Sequence, residues 1–495
     1  MIQGQRGNQF VRAPLVEHLD ACEGKTLGEL DVSNVFRKTI AHPKVTGIAG
    51  DVVEQSILYL SQNSKQEPDI VVDNVKYEVK TTGIRKSKKR GDVPEAKEPM
   101  SITAVSPNAI VDEDFSESSF WHKIAHMLIF FYLYDSHSTV VASDYARFPL
   151  LSYEFHEFED FTEEERRTLE RDWTKVRNFI TRLQESYTDY EAEYPRISHD
   201  LRRELMLLDT APKWPNPPRF RFKRTFVSCI YRDHLDRRRK KKLEVLPEKY
   251  VEVRDIENKC GELTSRYRGK TVGWLRRHFG LEVASDFKAI AEPVIVKMFG
   301  GTKKKMRDIE LFAKIGLLGK SIVLTKRGAR TEDTKFFTID FDEFDDSELA
   351  FEDSQFYEFF STCRILFIVF EEPNQEAPLT ENRFVGFKMV TFDEGFIQQH
   401  VRPVWERIRH LIREKLLKDV IERDKHGCPR INPNGDVRSA PNFPKSSEGL
   451  VFVRGTSSDS HKKPELVNGI RMYHQQVWLK GSYLASMLED VLLIT

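Results

Sequence analysis

The sequence has few cysteines, no excess charge of either sign and no long apolar run. Its five cysteines (Cys22, Cys229, Cys260, Cys363, Cys428) stand far apart, without a Cys-x-x-Cys pair. That argues against a zinc-ribbon site and a disulfide scaffold, and it fits a reducing compartment. Lys plus Arg and Asp plus Glu both number 77, so no global basicity points to nucleic acid. The longest apolar stretch, residues 127–134, is far too short to span a bilayer, and no basic-then-apolar leader opens the chain. The expectation is a soluble, intracellular protein without a membrane partner.

The charge that is present is segregated. Basic clusters occupy 85–90, 237–242 and 303–307, and acidic ones 154–165 and 340–353. Local basic patches can hold phosphates while acidic faces elsewhere balance the sum. The 237–242 run by itself reads as a solvated linker or helix face. The length of 495 residues suits roughly two to four domains with their own cores.

Residues 68–82 read as a β-hairpin. Ile70, Val71 and Val72 form an apolar arm, Asp73-Asn74 suits a tight turn, and 75–82 alternates apolar and polar. Residues two apart in a strand share a face, so Glu78 and Lys80 project together while Val79 points away. Asp69 begins the opposing arm and can reach the same edge. Two carboxylates and an ammonium on one patch describe a hard-cation site for phosphodiester hydrolysis. An ordinary solvated hairpin with a charge pair is the alternative.

Upstream, residues 47–60 form a helix opened by Gly47 and Asp51. Glu54 lies one turn in, beside apolar Val53, Ile57 and Leu58. It either faces the hairpin's site or edges the apolar stripe. Downstream, 100–105 and 127–134 read as strands. His122 and His126 have helical ligand spacing, but no glutamate completes a metalloprotease motif, so they read as structural or surface histidines. Residues 155–207 read as helical from Thr162 onward, and 220–226 as an alternating strand with a basic comb. That comb could meet DNA phosphates or simply form the exposed face of a sheet.

The second half repeats the first in weakened form. Residues 24–30 return at 269–275, the buried strand after Phe120 returns at 364–370, the helix around Trp173 returns around Trp405, and 222–226 returns at 479–483. Four matches in one order imply two copies of an α/β domain, 1–244 and 245–495. Setting 75–81 on 315–321 puts Leu318 in the place of Glu78 while Lys320 keeps that of Lys80. Copy one is then the candidate catalyst and copy two a binding or regulatory domain.

The order Gly50-x-x-x-Glu54, Asp69, Glu78-x-Lys80, Ser118-Ser119-Phe120-Trp121-His122-Lys123, then Phe220-x-Phe222-Lys223-x-x-Phe226 resembles MutH-like endonucleases. The tandem arrangement resembles the two-domain Sau-type GATC restriction enzymes of that family. The resemblance implies a PD-(D/E)xK restriction-endonuclease-like fold, mixed α/β, with two tandem MutH-like domains. It also implies Mg²⁺-dependent cleavage of double-stranded DNA at GATC, in a prokaryotic cytoplasm. Carried over by residue, Asp69 and Glu78 are metal ligands, Lys80 the catalytic lysine, Glu54 an accessory acid and Lys123 a lysine near the active site. Lys213 and Lys223 would contact DNA, with Arg454 and Lys480 as counterparts in the second copy. The partners implied are duplex DNA, transient self-association on DNA and, genetically, a cognate DNA methyltransferase. Two features depart from the family pattern: a longer gap from Asp69 to Glu78, and a proline-rich loop around Lys213. A repair-type nicking enzyme and a catalytically silent DNA-binding protein are the rival readings.

Overall fold

Two successive residues with positive φ, Asp73 at 46° and Asn74 at 69°, close the hairpin, with Val72 opposite Val75. Short polar side chains enter the left-handed region at low cost, so the turn falls on this pair and not on the flanking valines. The arms are Ile70–Val72 and Val75–Lys86. The structure is a computed structural model that describes residues 2–42, 47–61, 69–86, 93–136, 140–213, 216–239, 243–281, 290–325, 332–345, 349–374, 377–424, 426–431, 435–457 and 462–489. At 198–199, 211–213, 216–217, 238–239, 345 and 488–489 the description is of the backbone alone.

The chain forms two compact units. The first comprises Met1–Ser136, Val140–Ile256 and Phe299–Gly316, and the second is built mainly from Glu257–Met298 and Leu317–Thr495. The first unit thus runs past residue 244 and takes back a later segment. The reasons are specific bonds. Lys314 is buried, and its ammonium lies 2.8 Å from Glu165, while its carbonyl accepts from Thr225 at 2.7 Å. Glu244 accepts from the N–H groups of Thr302 and Lys303.

In the first unit the strand order is Gln9–Phe10, Ile70–Val72, Val75–Lys86, His126–Leu133, Leu150–Glu157. Val75–Lys86 runs parallel to His126–Leu133, which is antiparallel to Leu150–Glu157. The central strand is apolar at nearly every position and buried on both faces, as a strand flanked by parallel and antiparallel neighbours must be. A smaller sheet joins Met100–Ala104, Asn216–Phe222 and Leu208–Lys213. Thr162 caps the helix Glu163–Ser186 with a reciprocal bond to Glu165, which fixes the start read from the sequence. Its apolar stripe buries Leu169, Trp173, Val176 and Ile180.

The second unit repeats this order. Leu317–Leu324 is parallel to Arg364–Glu371, which is antiparallel to Arg383–Val390. Thr334–Thr338, His474–Leu479 and Val451–Thr456 form the companion sheet. Thr26 and Thr271 cap equivalent helices, as do Ser118 and Ser354. Lys223 N–H donates to Leu207 and Lys480 N–H to Leu450, each just before a helix. In this register Glu78 faces Met127 and Leu318 faces Ile365; Lys80 faces Ile129 and Lys320 faces Phe367. One difference bears on the site: before Leu317 the chain forms the short helix Glu310–Lys314 instead of a hairpin arm.

One strand expectation needs correction. The strand expected over 220–226 ends at Phe222, and Arg224–Arg239 is a helix. Phe226, Val227, Ile230 and Tyr231 are all buried at helical spacing, and this outweighs the local alternation. That helix carries Arg237, the first residue of the basic run, into an ion pair with Glu154 and another with Asp160 at 2.9 Å. Residues 240–242 lie outside the described residues, as do 87–90 of the first basic cluster.

Glu154 is buried beside His156 at 3.1 Å and His234 at 3.3 Å. Burial opposes its ionisation, but the hydrogen bonds of His156 and His234 and the Arg237 charge overcome this and hold the carboxyl down at about 2. A carboxyl lowered on folding adds stability above its ordinary value of 4.5, and that stability is lost as pH falls towards 2. Glu154→Gln strips Arg237 and the two histidines of their carboxylate partner and is expected to cost about 3–5 kcal/mol in urea unfolding at neutral pH. The variant should also lose part of the wild-type decline below pH 4.5. Equal stability of variant and wild type at neutral pH would show that the cluster contributes nothing.

Candidate active site

Glu78 and Lys80 sit two apart on Val75–Lys86 and project from one sheet face, while Val79 packs on the other with Leu128 and Phe130. Glu78 is only 5% exposed, so its charge needs partners. Lys80 Nζ lies 2.7 Å from one carboxylate oxygen and Lys123 Nζ 2.5 Å from the other. Lys123 arrives on the helix Ser119–Ile124. That helix is started by the Ser118 hydroxyl, which accepts from Trp121 N–H at 3.0 Å, and anchored by fully buried Phe120 and Ile124.

Asp69 enters from the mouth of the hairpin, where its carboxylate accepts the Val79 N–H at 2.8 Å. Its carboxyl is raised, first by burial and then by Glu78, with Val79 N–H, Lys80 and Lys123 acting against this. Glu54 comes from the helix Ile48–Val52, which continues into one π-helical turn, Val53–Ile57, with Leu58 N–H bonded to Val53 O at 2.9 Å. The extra residue of a π turn re-aims the side chains beside it, a device common at functional sites. Burial, then Asp69 and Asp51, push the Glu54 carboxyl up to about 7, with Lys80 opposing. Asp69, Lys80 and Glu78 all act on the Glu54 carboxyl, so its helix brings it within electrostatic reach of the carboxylate patch.

The structure brings together Glu54, Asp69, Glu78, Lys80 and Lys123. Three carboxyl groups against two ammonium groups leave the patch one negative charge in excess when all are ionised. Beyond burial, Asp69 raises Glu54 and Glu78 raises Asp69, which is the electrostatic sign of this crowding. The donors are hard oxygens, so they fit a divalent cation held by Asp69 and Glu78.

A second group has ligand-like spacing. Atoms of Glu154, His156 and Asp160 lie within 4.8 Å of one another. Glu154 faces Ile129, which faces Lys80, so this group lies on the same sheet face about 10 Å away, two strand spacings across. Arg237 bridges Glu154 and Asp160 and supplies the countercharge a metal would otherwise bring. Sequence reading missed this network. Glu154, His156 and Asp160 were its local signal, and the partners His234 and Arg237 come from a helix distant in sequence.

The expected DNA contacts are not equivalent. Lys213 ends the strand Leu208–Lys213, opposite Asn216, with its side chain outside the description. Lys223 was expected on a basic comb but is 8% exposed; its ammonium donates to Leu205 O at 2.5 Å, near the buried carboxylate of Asp172. Asp172 in turn accepts the N–H groups of Met206, Leu207 and Leu208. Lys223 thus braces the core rather than facing solvent. Arg454 is exposed, pairs with Asp333 at 2.8 Å and lies over the rings of Phe452 and Trp478 at 5.0 and 5.1 Å. Lys480 is half-buried, just before the helix Gly481–Glu489. His122 is exposed on its helix, and His126 pairs with Glu157, so the two converge on no metal site.

The family model described as DNA mismatch repair enzyme MutH matches residues 58–172. That span contains Asp69, Glu78, Lys80 and Lys123. Over 466 residues, 87% of this chain and 90% of the relative, the sequence is 21% identical to the type II restriction enzyme Sau3AI of Staphylococcus aureus. The MutH match surrounds the carboxylate–lysine patch, and the similarity to the restriction enzyme runs through both units. The chain thus resembles the MutH-like, Sau3AI-type restriction endonucleases, and the match over 58–172 carries with it their PD-(D/E)xK fold.

Proposed function

We propose that this protein is a Mg²⁺-dependent type II restriction endonuclease that cuts both strands of duplex DNA at or near GATC and leaves 5′-phosphates. The second unit binds another copy of the target. The observation that carries the reading is the buried Glu78 carboxylate shared by Lys80 and Lys123 beside Asp69. A silent DNA-binding protein would have no use for so complete a set.

Asp69 and Glu78 would hold the cation, which, when bound, polarises the scissile phosphate and lowers the pKa of a bound water. Lys80 orients the attacking water by hydrogen bond and offsets charge growing on the phosphate oxygens. Lys123 fixes the second oxygen of Glu78 and with it the plane of the carboxylate. Glu54 adds a third carboxyl at the edge of the patch. The water oxygen bonds to phosphorus in line as the bond to the 3′ oxygen breaks; that oxygen gains a proton and the water loses one. The GATC target rests on the family resemblance, as does a cognate methyltransferase as genetic partner. Among the described residues no helix is long and apolar enough to cross a membrane. The second unit favours restriction over repair nicking, because a single-strand nicking enzyme has no evident need of a second target-binding copy.

Glu78→Ala or Lys80→Ala is expected to lower cleavage about a hundredfold or more while leaving DNA binding largely intact. Single-turnover cleavage and filter binding read the two effects. Near wild-type cutting by either variant would place the active site elsewhere.

Plasmids with two sites should be cut faster per site than plasmids with one, and a short duplex carrying the site should rescue the single-site plasmid. The rescue should disappear in an Arg454→Ala, Lys480→Ala double variant. Equal rates on both plasmids across enzyme concentrations would refute second-site activation.

A further inference from the structure

The second unit holds the scaffold of the active site with its charge reversed. Lys320 faces Phe367 as Lys80 faces Ile129, but Leu318 stands where Glu78 stands. Counting from the equivalent caps Ser118 and Ser354, Phe359 stands where Lys123 does. Lys388 faces Phe367 as Glu154 faces Ile129, and it is 6% exposed. In the first unit two lysines are tied to one carboxylate; in the second, no hydrogen bond or ion pair engages Lys320 or Lys388 among the described residues.

Lys320 is half-buried, and the charges that act on it are Lys335 and, opposing it, Glu292. Glu292 lies on the helix Ala291–Met298, which occupies the place of the Glu54 helix in the chain order. Burial and then the Lys335 charge both disfavour the Lys320 ammonium, and the opposing Glu292 carboxylate does not make up for them. Lys335 is exposed on Thr334–Thr338, opposite Trp478, against whose ring Arg454 also lies. A cation would be repelled here, whereas a phosphate diester supplies the missing charge and acceptor oxygens.

We propose that Lys320 and Lys335 form a metal-free phosphate cradle that grips the DNA backbone in the second unit, at the position that corresponds to the catalytic centre of the first. The proposal rests on the reading of that unit as a second-site binder. Where the first unit uses carboxylates and a cation to reach a phosphate, the second reaches one with lysine directly. Its grip is therefore independent of divalent metal and sensitive to monovalent salt.

The test is calorimetric titration of the full-length protein with a short site-bearing duplex in EDTA, over a range of salt. The wild type is expected to bind two duplexes per chain. Lys320→Met should weaken one of the two by about tenfold or more and reduce its salt slope by about 1, and Lys320→Arg should restore both. Lys335→Ala, at an exposed position that folding does not depend on, should shift the same event in the same direction. Two events that neither Lys320→Met nor Lys335→Ala alters would overturn the cradle and leave second-site binding standing. A second event that appears only with divalent metal would also overturn it. One duplex per wild-type chain would overturn both the cradle and the reading beneath it.

Discussion

A buried carboxylate shared by two lysines is the constraint on which the rest of the first unit depends. Glu78 is withdrawn from water by the sheet and the helix beside it, so its charge persists only with partners at hand. Lys80 comes from the same strand, Lys123 from the helix Ser119–Ile124, and Asp69 from the hairpin mouth. Three local structures must each be right for one charge to be tolerated. That explains why the turn at Asp73-Asn74, the Ser118 cap and the buried central strand occur together in one chain.

The second unit shows what remains when that carboxylate is absent. Its strands keep their order, direction and register, so the fold does not need the site. Leu318 adds to the apolar core where Glu78 demanded partners, and Lys320 loses its neutraliser. The proposed change of preference from cation to anion follows from exchanges at a few positions, with Leu318 for Glu78 foremost. A duplicated domain can take on a binding role in this way without redesign of its scaffold.

Much of this was legible in the sequence, for identifiable reasons. Alternation and a turn pair specify a hairpin locally, so Glu78, Lys80 and Asp69 could be placed from a few residues. Order and spacing of motifs revealed the repeat, and the same arithmetic put Leu318 in the place of Glu78, which the strand registers repeat. Lys223 was misread because Phe-Arg-Phe-Lys-Arg-Thr-Phe alternates like a strand, while burial over the following turn selects a helix. The bracing of Lys223 by Leu205 and Asp172, and of Glu154 by His234 and Arg237, depends on partners remote in sequence. Pattern rules of period two or 3.6 carry no signal for such pairs. The return of residues 299–316 to the first unit was hidden for the same reason.

The most direct measurement of the central claim is a divalent-metal titration of the purified protein on a plasmid of known sequence, followed by sequencing of the product ends. The account predicts no product in EDTA, saturable double-strand cleavage as Mg²⁺ is added, and 5′-phosphate ends that map to GATC. Cleavage that persists in EDTA, or ends that bear no relation to a common site, would contradict it.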